Sequence, residues 1–413
     1  MNVRRSAAVL AATAVIGAAG PAVAADPSPS PSVAIPTGLY GRTDPTYDGV
    51  WRQSLALLAQ DSVGVRPASS GIAWLIGQQC ANGAFAAFRA DTAKACDAGL
   101  MVDTNSTAAA VQALAALGGH GAVTEKSVAW LKSVQNADGG WGYSPGGASD
   151  ANSTSVVIGA LTATGEKPQD IRKGGKSPYD ALLKFALPCD SDSDQSGAFA
   201  YQPDKKGDLT ANADATAAAV VAALGKGLAG TAPKAAETDL TCKDASADPG
   251  QAARNGAAYL VEALAKDGHL TSALPGAEDQ PDYGNTADAV VALATAGQVK
   301  ATVPAVRWLQ ANSVKWAQQS GPAAYAQLIL AANASAQDPR DFGGQDLVKL
   351  LDATGPGPVF VPDAESTSPG GSGDAAAADD DSGNIVWIAG GGLLLVVVAV
   401  GYLLFVRGRK RRS

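Results

Sequence analysis

Aromatic, histidine and cysteine residues are scarce in this chain of 413 residues, and each scarcity argues against one class of site. Histidine occurs only as His120 and His269, and no Cys-x-x-Cys pair is present, which argues against a zinc centre. Phe, Trp and Tyr together make up 6% of the residues, few for a cavity whose aromatic faces would stabilise positive charge. The Gly-x-Ser-x-Gly turn typical of serine hydrolases is also missing.

The N-terminal end of the chain predicts export. Residues 1–24 read as a signal peptide, because Arg4 and Arg5 precede a short apolar run that ends in the small-x-small sequence at 22–24. Residues 25–43 follow as a Pro/Ser-rich linker.

The C-terminal end predicts a membrane anchor. Residues 385–406 form an apolar run long enough to span a bilayer, and the basic tail at 407–413 should remain in the cytoplasm. Residues 355–384 are acidic and rich in Gly, Ser and Ala, which predicts a stalk. We therefore expect a single-pass protein of the cell membrane, with an extracellular domain at 44–354 and a cytoplasmic C-terminus.

Charge limits the partners of the exported part. The predicted signal peptide and tail hold seven of the 31 basic side chains and none of the acids, so 24 basic and 39 acidic side chains remain, a net charge of −15. A negative net charge of this size argues against binding to nucleic acid and against binding to anionic lipid. We expect the partner to be a small-molecule ligand or a membrane transporter.

Four cysteines fit an exported domain, because an even number in an oxidising compartment suggests disulfides. Three pairings are compatible with the sequence. We favour Cys80–Cys96 and Cys189–Cys242, since each bridge would clamp the long loop of one repeat.

A Gly-rich turn, QNADGGWGY at Gln135–Tyr143, lies between two helical patterns and recurs along the chain. Gln78–Phe88 keeps the Gln, the Gly and an aromatic residue, Asp194–Tyr201 keeps the acid, the Gly and the aromatic residue, and Lys266–Leu270 keeps Asp-Gly. The helix that follows each turn begins in a similar way, with DTNSTAAAVQAL at Asp103, DANSTSVVIGAL at Asp150, NADATAAAVVAAL at Asn212 and DYGNTADAVVAL at Asp282. Because the turn and the helix start recur together along the chain, the sequence predicts a repeat protein with two helices per unit.

QNADGGW followed by D-x-N-S-T resembles the QW-type repeat of the terpene cyclase and protein prenyltransferase superfamily. The same helical toroid occurs in cobalamin carriers such as intrinsic factor. The resemblance covers roughly residues 44–355 and implies an all-α, closed α/α toroid of about six inner and six outer helices. An open solenoid or a plain bundle is the structural alternative.

The repeat pattern places the helices approximately. Inner helices are expected to begin near Gly49, Ser106, Ser153, Asp214, Thr286 and Pro322. Outer helices are expected at Ser69–Gln79, Glu125–Gln135, Pro178–Leu187, Gln251–Lys266, Val303–Trp316 and Gly344–Ala353.

The sequence departs from the catalytic patterns that the resemblance implies. A class II terpene cyclase protonates its substrate with the middle Asp of a DxDD motif, and the nearest strings, at 190–194 and 379–381, have other patterns. A prenyltransferase needs a zinc set of Asp, Cys and His, which is not available here. We therefore favour a non-catalytic ligand- or partner-binding module without a cofactor, with a terpenoid-cyclase-like enzyme as the alternative.

The acidic loop that contains Asp190, Asp192 and Asp194 is a weak candidate for a calcium site, because Ca²⁺ prefers carboxylate oxygens. A solvated loop is the alternative. The twelfth position of an EF-hand loop beginning at Asp190 would be Tyr201 rather than Glu.

The starts of the inner helices are the main candidate site. If those helices run parallel, their polar first turns collect at one mouth of the ring beside the aromatic residues of the turns, Phe85, Trp141 and Phe199. Helix capping explains the same residue types without a ligand. The candidate ligand-binding residues are Asp103, Thr107, Trp141, Asp150, Thr154, Asp282 and Thr286. If the resemblance to cobalamin carriers extends to function, a corrinoid is the ligand that this mouth would bind.

Overall fold

The computed structural model describes residues 35–192, 194–234, 239–273 and 280–359. The predicted signal peptide, most of the predicted stalk, the predicted transmembrane run at 385–406 and the basic tail lie outside these residues. Among the helices within the described ranges, none is long and apolar enough to cross a bilayer.

Twelve α-helices make up the described domain: α1 (Gly49–Ser62), α2 (Ser69–Gly77), α3 (Thr104–Leu117), α4 (Gly121–Ser133), α5 (Ala151–Ala163), α6 (Pro178–Leu182), α7 (Ala213–Ala223), α8 (Pro249–Ala265), α9 (Tyr283–Thr295), α10 (Val303–Ser320), α11 (Pro322–Ala334) and α12 (Leu347–Asp352). Short 3₁₀ turns occupy Pro168–Asp170, Leu183–Phe185 and Val299–Thr302. Two antiparallel pairs of two-residue strands precede α3 and α9: β1 (Phe85–Ala86) with β2 (Val102–Asp103), and β3 (Leu270–Thr271) with β4 (Pro281–Asp282).

The odd-numbered helices form a closed inner ring. Each packs against the next, α1 to α3, α5, α7, α9 and α11, and α11 packs against α1. The even-numbered helices pack on the outside of this ring. The domain is therefore an α/α toroid of six inner and six outer helices, as the resemblance implies, and the open solenoid is excluded.

Small side chains allow the inner helices to pack closely. Sequences such as TNSTAAAVQALAAL in α3 bury almost every residue between their second turn and their last. The inner helices begin within three residues of the predicted positions. Four of them begin directly after a capping side chain. Asp103, Asp150, Asn212 and Asp282 each accept a hydrogen bond from the backbone N–H three residues later.

Glycines of the recurring turn pack against backbone of the following outer helix. Gly139 has a φ of +93° and a Cβ there would lie 2.3 Å from Ser177 O, at the cap of α6. Gly83 also has a φ of +93°, and a Cβ would lie 2.3 Å from Lys126 O in α4. The turn thus fastens each unit to the next, and only glycine fits where the two backbones meet.

The loop after α7 packs on α3, α5 and α9 beyond the second turn of the inner helices. Gln112 of α3 donates to Val156 O at 2.9 Å and accepts from Leu228 N at 2.8 Å. At Gly159 of α5, a Cβ would lie 2.8 Å from the Cα of Gly227, and at Gly230 a Cβ would lie 2.4 Å from Oγ1 of Thr295 in α9. These contacts form a floor on the side of the ring opposite the starts of the inner helices.

The two ends of the described chain meet beside α1. Tyr40 is fully buried, and its hydroxyl lies 3.0 Å from both Gln60 Oε1 and Pro356 O. The N–H of Gly41 donates to Thr354 O at 2.8 Å. Residues 38–43, which composition assigns to the linker, therefore pack in the domain, because the Pro/Ser composition ends before the apolar pair Leu39-Tyr40.

Both predicted disulfides are present. Cys80 pairs with Cys96 and Cys189 pairs with Cys242, at sequence separations of 16 and 53 residues. The first bridge closes the loop between α2 and α3, and the second joins the loop after α6 to the loop before α8. This pairing is consistent with a domain that folds outside the cytoplasm.

Candidate functional site

Three aspartates predicted at the mouth act as helix caps. Asp103 accepts from Ser106 N at 2.6 Å, Asp150 from Ser153 N at 2.6 Å, and Asp282 from Asn285 N at 3.0 Å. Burial raises the pKa of Asp103 and of Asp150 to about 6, against the opposing effect of these hydrogen bonds. Their carboxylates are thus used within the fold.

The predicted threonines face the outer layer rather than the ring interior. Thr107 Oγ1 accepts from Phe85 N at 2.9 Å, Thr154 Oγ1 from Trp141 N at 3.1 Å, and Thr286 Oγ1 from Leu270 N at 3.0 Å. All three threonines are fully buried. They join each recurring turn to the first turn of the inner helix that follows it.

Trp141 is likewise buried, and its indole Nε1 donates to Leu131 O of α4 at 2.8 Å. Phe85 and Phe199 are also fully buried. The aromatic residues of the turns therefore lock the repeats together, and the structure does not place them on an open rim.

A different set of side chains faces the interior of the ring, one from each inner helix. Thr216 of α7 accepts in the same way from Phe199 N at 2.9 Å. Since Thr107, Thr154 and Thr216 point outward, the residues two positions earlier lie on the opposite side of their helices. Asp288 and Gln327 occupy the next turn of α9 and α11. All six are partly exposed, and we call this set the cup: Trp51, Asn105, Asn152, Asp214, Asp288 and Gln327.

Two hydrogen bonds across helix boundaries hold the carboxylates of the cup. Asn152 Nδ2 donates to Asp214 Oδ2 at 2.6 Å, from α5 to α7. Gln327 Nε2 donates to Asp288 Oδ2 at 3.0 Å, from α11 to α9. The first hydrogen bond joins the first turns of α5 and α7, and the second joins the second turns of α9 and α11. These inner helices therefore run side by side in the same direction.

One carboxyl group of the cup, that of Asp288, holds a proton at neutral pH. The pKa of Asp288 is raised to about 8, first by burial and then by the negative charges of Asp214 and Asp282. The pKa of Asp214 is raised to about 6 by burial and by Asp282, against the hydrogen bond from Asn152. At pH 7 Asp288 is therefore mostly a neutral carboxylic acid, while Asp214 is mostly ionised.

Positive charge does not compensate these acids. The sequences of α3, α5, α7, α9 and α11 contain no Lys, Arg or His. Arg52 of α1 is buried, and its guanidinium bonds to Thr43 and Asp48. The described inner helices thus present carboxyl groups, amides and one indole ring to the interior of the toroid.

A pocket of about 320 Å³ lies between the starts of α7 and α9, and its lining includes Asp214 of the cup. Asp214 and Asn285 line its inner end, while Tyr259, Lys266 and His269 line the part nearer α8 and β3. The ring of His269 packs against that of Trp308, with centroids 4.3 Å apart and planes tilted by 34°, which gives it a packing role. The pocket offers a small ligand a route to Asp214.

No group of three or more His, Cys, Asp or Glu side chains in the described residues is arranged to hold a metal ion. Asp190, Asp192 and Asp194 lie in the loop after α6, and the backbone of Asp192 accepts from Gln195 N at 2.8 Å.

Sequence reasoning missed the cup. A search for a DxDD motif does not find Asp214, because Asn212-Ala213-Asp214-Ala215 contains a single Asp. The usable signal was the alignment of the four helix starts. It places Asn105, Asn152, Asp214 and Gly284 at one position, two residues before the threonine.

No family model matches the chain. A drimenyl diphosphate synthase of Streptantibioticus cattleyicolor is 33% identical over 87 residues, which is 21% of this chain and 14% of that protein. Among solved structures, ent-copalyl diphosphate synthase from Streptomyces platensis has 16% identity and a TM-score of 0.47. The match covers 70% of this chain and 50% of that one.

A protein from Actinoplanes has 14% identity and a TM-score of 0.45, with 72% of this chain and 93% of that one covered. The type II terpene cyclase MstE from Scytonema has 17% identity and a TM-score of 0.31, over 66% of this chain and 81% of that one. The chain thus spans a small part of the curated relative and half of the copalyl diphosphate synthase.

Proposed function

We propose that this toroid is a terpenoid-cyclase-like acid catalyst, in which the Asp214–Asp288 pair protonates a carbon–carbon double bond of an isoprenoid substrate. The observation that carries the proposal is the pair itself, two carboxyl groups facing the ring interior without a cationic partner. The 33% identity over 87 residues to a drimenyl diphosphate synthase supports an isoprenoid substrate.

Proton donation requires a carboxylic acid that is neutral at the working pH. Asp288 meets this condition because burial and two neighbouring carboxylates raise its pKa to about 8. The proton of the pair moves from a carboxyl oxygen to one alkene carbon, and the other alkene carbon becomes cationic. The carboxylate that remains, together with the amide oxygens of Asn105 and Asn152, then stabilises that positive charge.

The first test is incorporation of deuterium from solvent. The full-length protein in detergent is incubated in D₂O with farnesol, farnesyl diphosphate or squalene, and products and recovered substrate are analysed by mass spectrometry. We expect one deuterium on carbon in at least one substrate class. Asp214→Asn and Asp288→Asn should each reduce the rate by about 100-fold or more, the usual size of a general-acid contribution.

Asp341→Asn is the matched control, because this exposed aspartate lies in the loop before α12, away from the inner helices. Its rate should equal that of the unmodified protein. Absence of deuterium from all three compounds, or incorporation that both cup variants leave unchanged, would contradict the proposed chemistry.

A non-catalytic ligand-binding module is the second candidate, and the lining of the cup favours it. Three of the six cup residues are amides, and Trp51 is the one aromatic ring in that set. Amides and acids suit an amide-rich ligand such as a corrinoid better than a hydrocarbon. Calorimetric titration with cobalamin and cobinamide tests this candidate, and heat that Asp214→Asn abolishes would support it.

We also propose that the domain is held at the outer face of the cell membrane. The disulfides support an extracytoplasmic domain, and the apolar run at 385–406 would supply the anchor. Deletion of residues 385–413 should release the domain into the medium in folded form. Quantitative retention of the truncated protein on cells would contradict a single C-terminal anchor.

A further inference from the structure

The strongest unexplained feature of the cup is an excess of hydrogen-bond acceptors. Asn152 uses its amide N–H on Asp214, and its Oδ1 is buried without a hydrogen-bond partner. Asn105 Oδ1 of the neighbouring helix is buried without a partner as well. An unsatisfied buried acceptor is costly, so a group that donates hydrogen bonds is expected here.

Ser155 gives an independent indication. Its side chain is 5% exposed, and its Oγ is buried without a partner. The residue lies three positions after Asn152, which places it one turn farther along the same side of α5. A third unsatisfied polar group therefore lies next to the cup, one turn beyond the Asn152–Asp214 contact.

The charges around the cup indicate which kind of ligand it would bind. Asp214, Asp282 and Asp288 interact electrostatically with one another. The inner helices that carry these residues or pack beside them contribute no basic side chain. A ligand that fits should therefore be positively charged as well as a hydrogen-bond donor.

We propose that the cup binds a protonated primary amine, whose N–H groups donate to Asn105, Asn152 and Asp214. A quaternary ammonium ion would satisfy the charge but not the amide oxygens, since it has no N–H. Trp51 adds an aromatic ring on the remaining side of the cup, which also favours a cation. This inference goes beyond the proposed proton transfer, because it requires binding and no turnover.

The proton on the acid pair makes the binding measurable. Asp288 faces Asp214 of α7, Asp282 at the start of its own helix, and Gln327 of α11. The outer helices α8 and α10 carry Glu262, Arg307 and Lys315 on exposed positions, and Arg254 of α8 is partly exposed and pairs with Asp248. Lys266, the residue after α8, lines the pocket that Asp214 also lines. An incoming ammonium ion should therefore drive the proton off Asp288 and bind more tightly once that proton is already gone.

The experiment is isothermal titration of the full-length protein in detergent with 1,4-diaminobutane, in two buffers of different ionisation enthalpy. At pH 7 we expect release of nearly one proton per amine bound, and at pH 9 release close to zero. Because about one Asp288 in ten is ionised at pH 7 when its pKa is about 8, Kd should fall about tenfold from pH 7 to pH 9. Tetramethylammonium, which has no N–H, should bind at least about tenfold more weakly than methylammonium, a cation of the same charge that has N–H groups.

Three results would overturn the inference: no saturable heat with the diamine at either pH, equal binding of tetramethylammonium and methylammonium, or binding unchanged in Asp214→Asn. Asp288→Asn should abolish the proton release and keep measurable binding, and Asp341→Asn should behave as the unmodified protein. Amine binding without deuterium incorporation would contradict only the catalytic proposal. Deuterium incorporation without amine binding would contradict only this inference.

Discussion

Gly139→Ala is expected to lower the melting temperature more than other single changes in the turn that joins α4 to α5. The new Cβ would lie 2.3 Å from Ser177 O and 2.8 Å from Ser177 C, both backbone atoms that cannot move aside. The left-handed φ of +93° adds strain for any L side chain. Strain of about 1–2 kcal/mol and overpacking of about 1–3 kcal/mol give a loss of about 2–5 kcal/mol.

Gly146→Ala is the matched control, because it changes a glycine of the same loop. Gly146 has a φ of +76°, but nothing lies within 4 Å of a Cβ there, so only the backbone strain of about 1–2 kcal/mol applies. Thermal unfolding followed by circular dichroism measures both variants. Equal losses at the two positions would show that the contact between the turn and α6 contributes nothing to the stability of the toroid.

Asp288→Asn is expected to stabilise the domain at pH 8.5 and to flatten the dependence of its stability on pH. An aspartate in the unfolded chain ionises near pH 4, whereas burial and the charges of Asp214 and Asp282 raise the pKa of Asp288 to about 8 in the folded protein. Between these values the folded state binds more protons than the unfolded state, so the free energy of unfolding falls as pH rises.

The variant removes this loss because an amide does not ionise. Asp288 keeps some contact with solvent, which reduces the effect, and we expect about 2 kcal/mol at pH 8.5, or about 4 °C in Tm. At pH 4 the variant and the unmodified protein should unfold at nearly the same temperature. A variant that is less stable than the unmodified protein at pH 8.5 would contradict the raised pKa of Asp288. Asp341→Asn serves as the exposed control.

The ring architecture could be predicted because local signals and the global fold agree. Capping residues such as Asp103 and Asp150 mark the starts of the inner helices, and the Asp-Gly-Gly sequence before Trp141 marks the turn. Closure of the ring follows from contacts between α11 and α1, residues far apart in sequence. No local pattern encodes that contact, and only the resemblance to known toroids implied it.

The residues of the candidate site were harder to predict than the fold, because helix caps and binding sites use the same residue types. Asp150 and Thr154 drew attention by their identity, yet both are used inside the fold. Asn152, between them, has the less conspicuous side chain but faces the ring interior. The direction in which each first-turn side chain points depends on which residue bonds to the preceding turn, and that was visible only in the structure.

The most direct test of the acid pair is the titration of its carboxyl carbons by NMR, with ¹³C-labelled aspartate and Asp214→Asn and Asp288→Asn for assignment. We expect one resonance that titrates near pH 8, that is lost in Asp288→Asn, and that moves to lower pH in Asp214→Asn because a neighbouring negative charge is removed. If every aspartate of the folded protein has finished titrating below pH 5, the pair holds no proton at neutral pH, which would contradict the proposed acid.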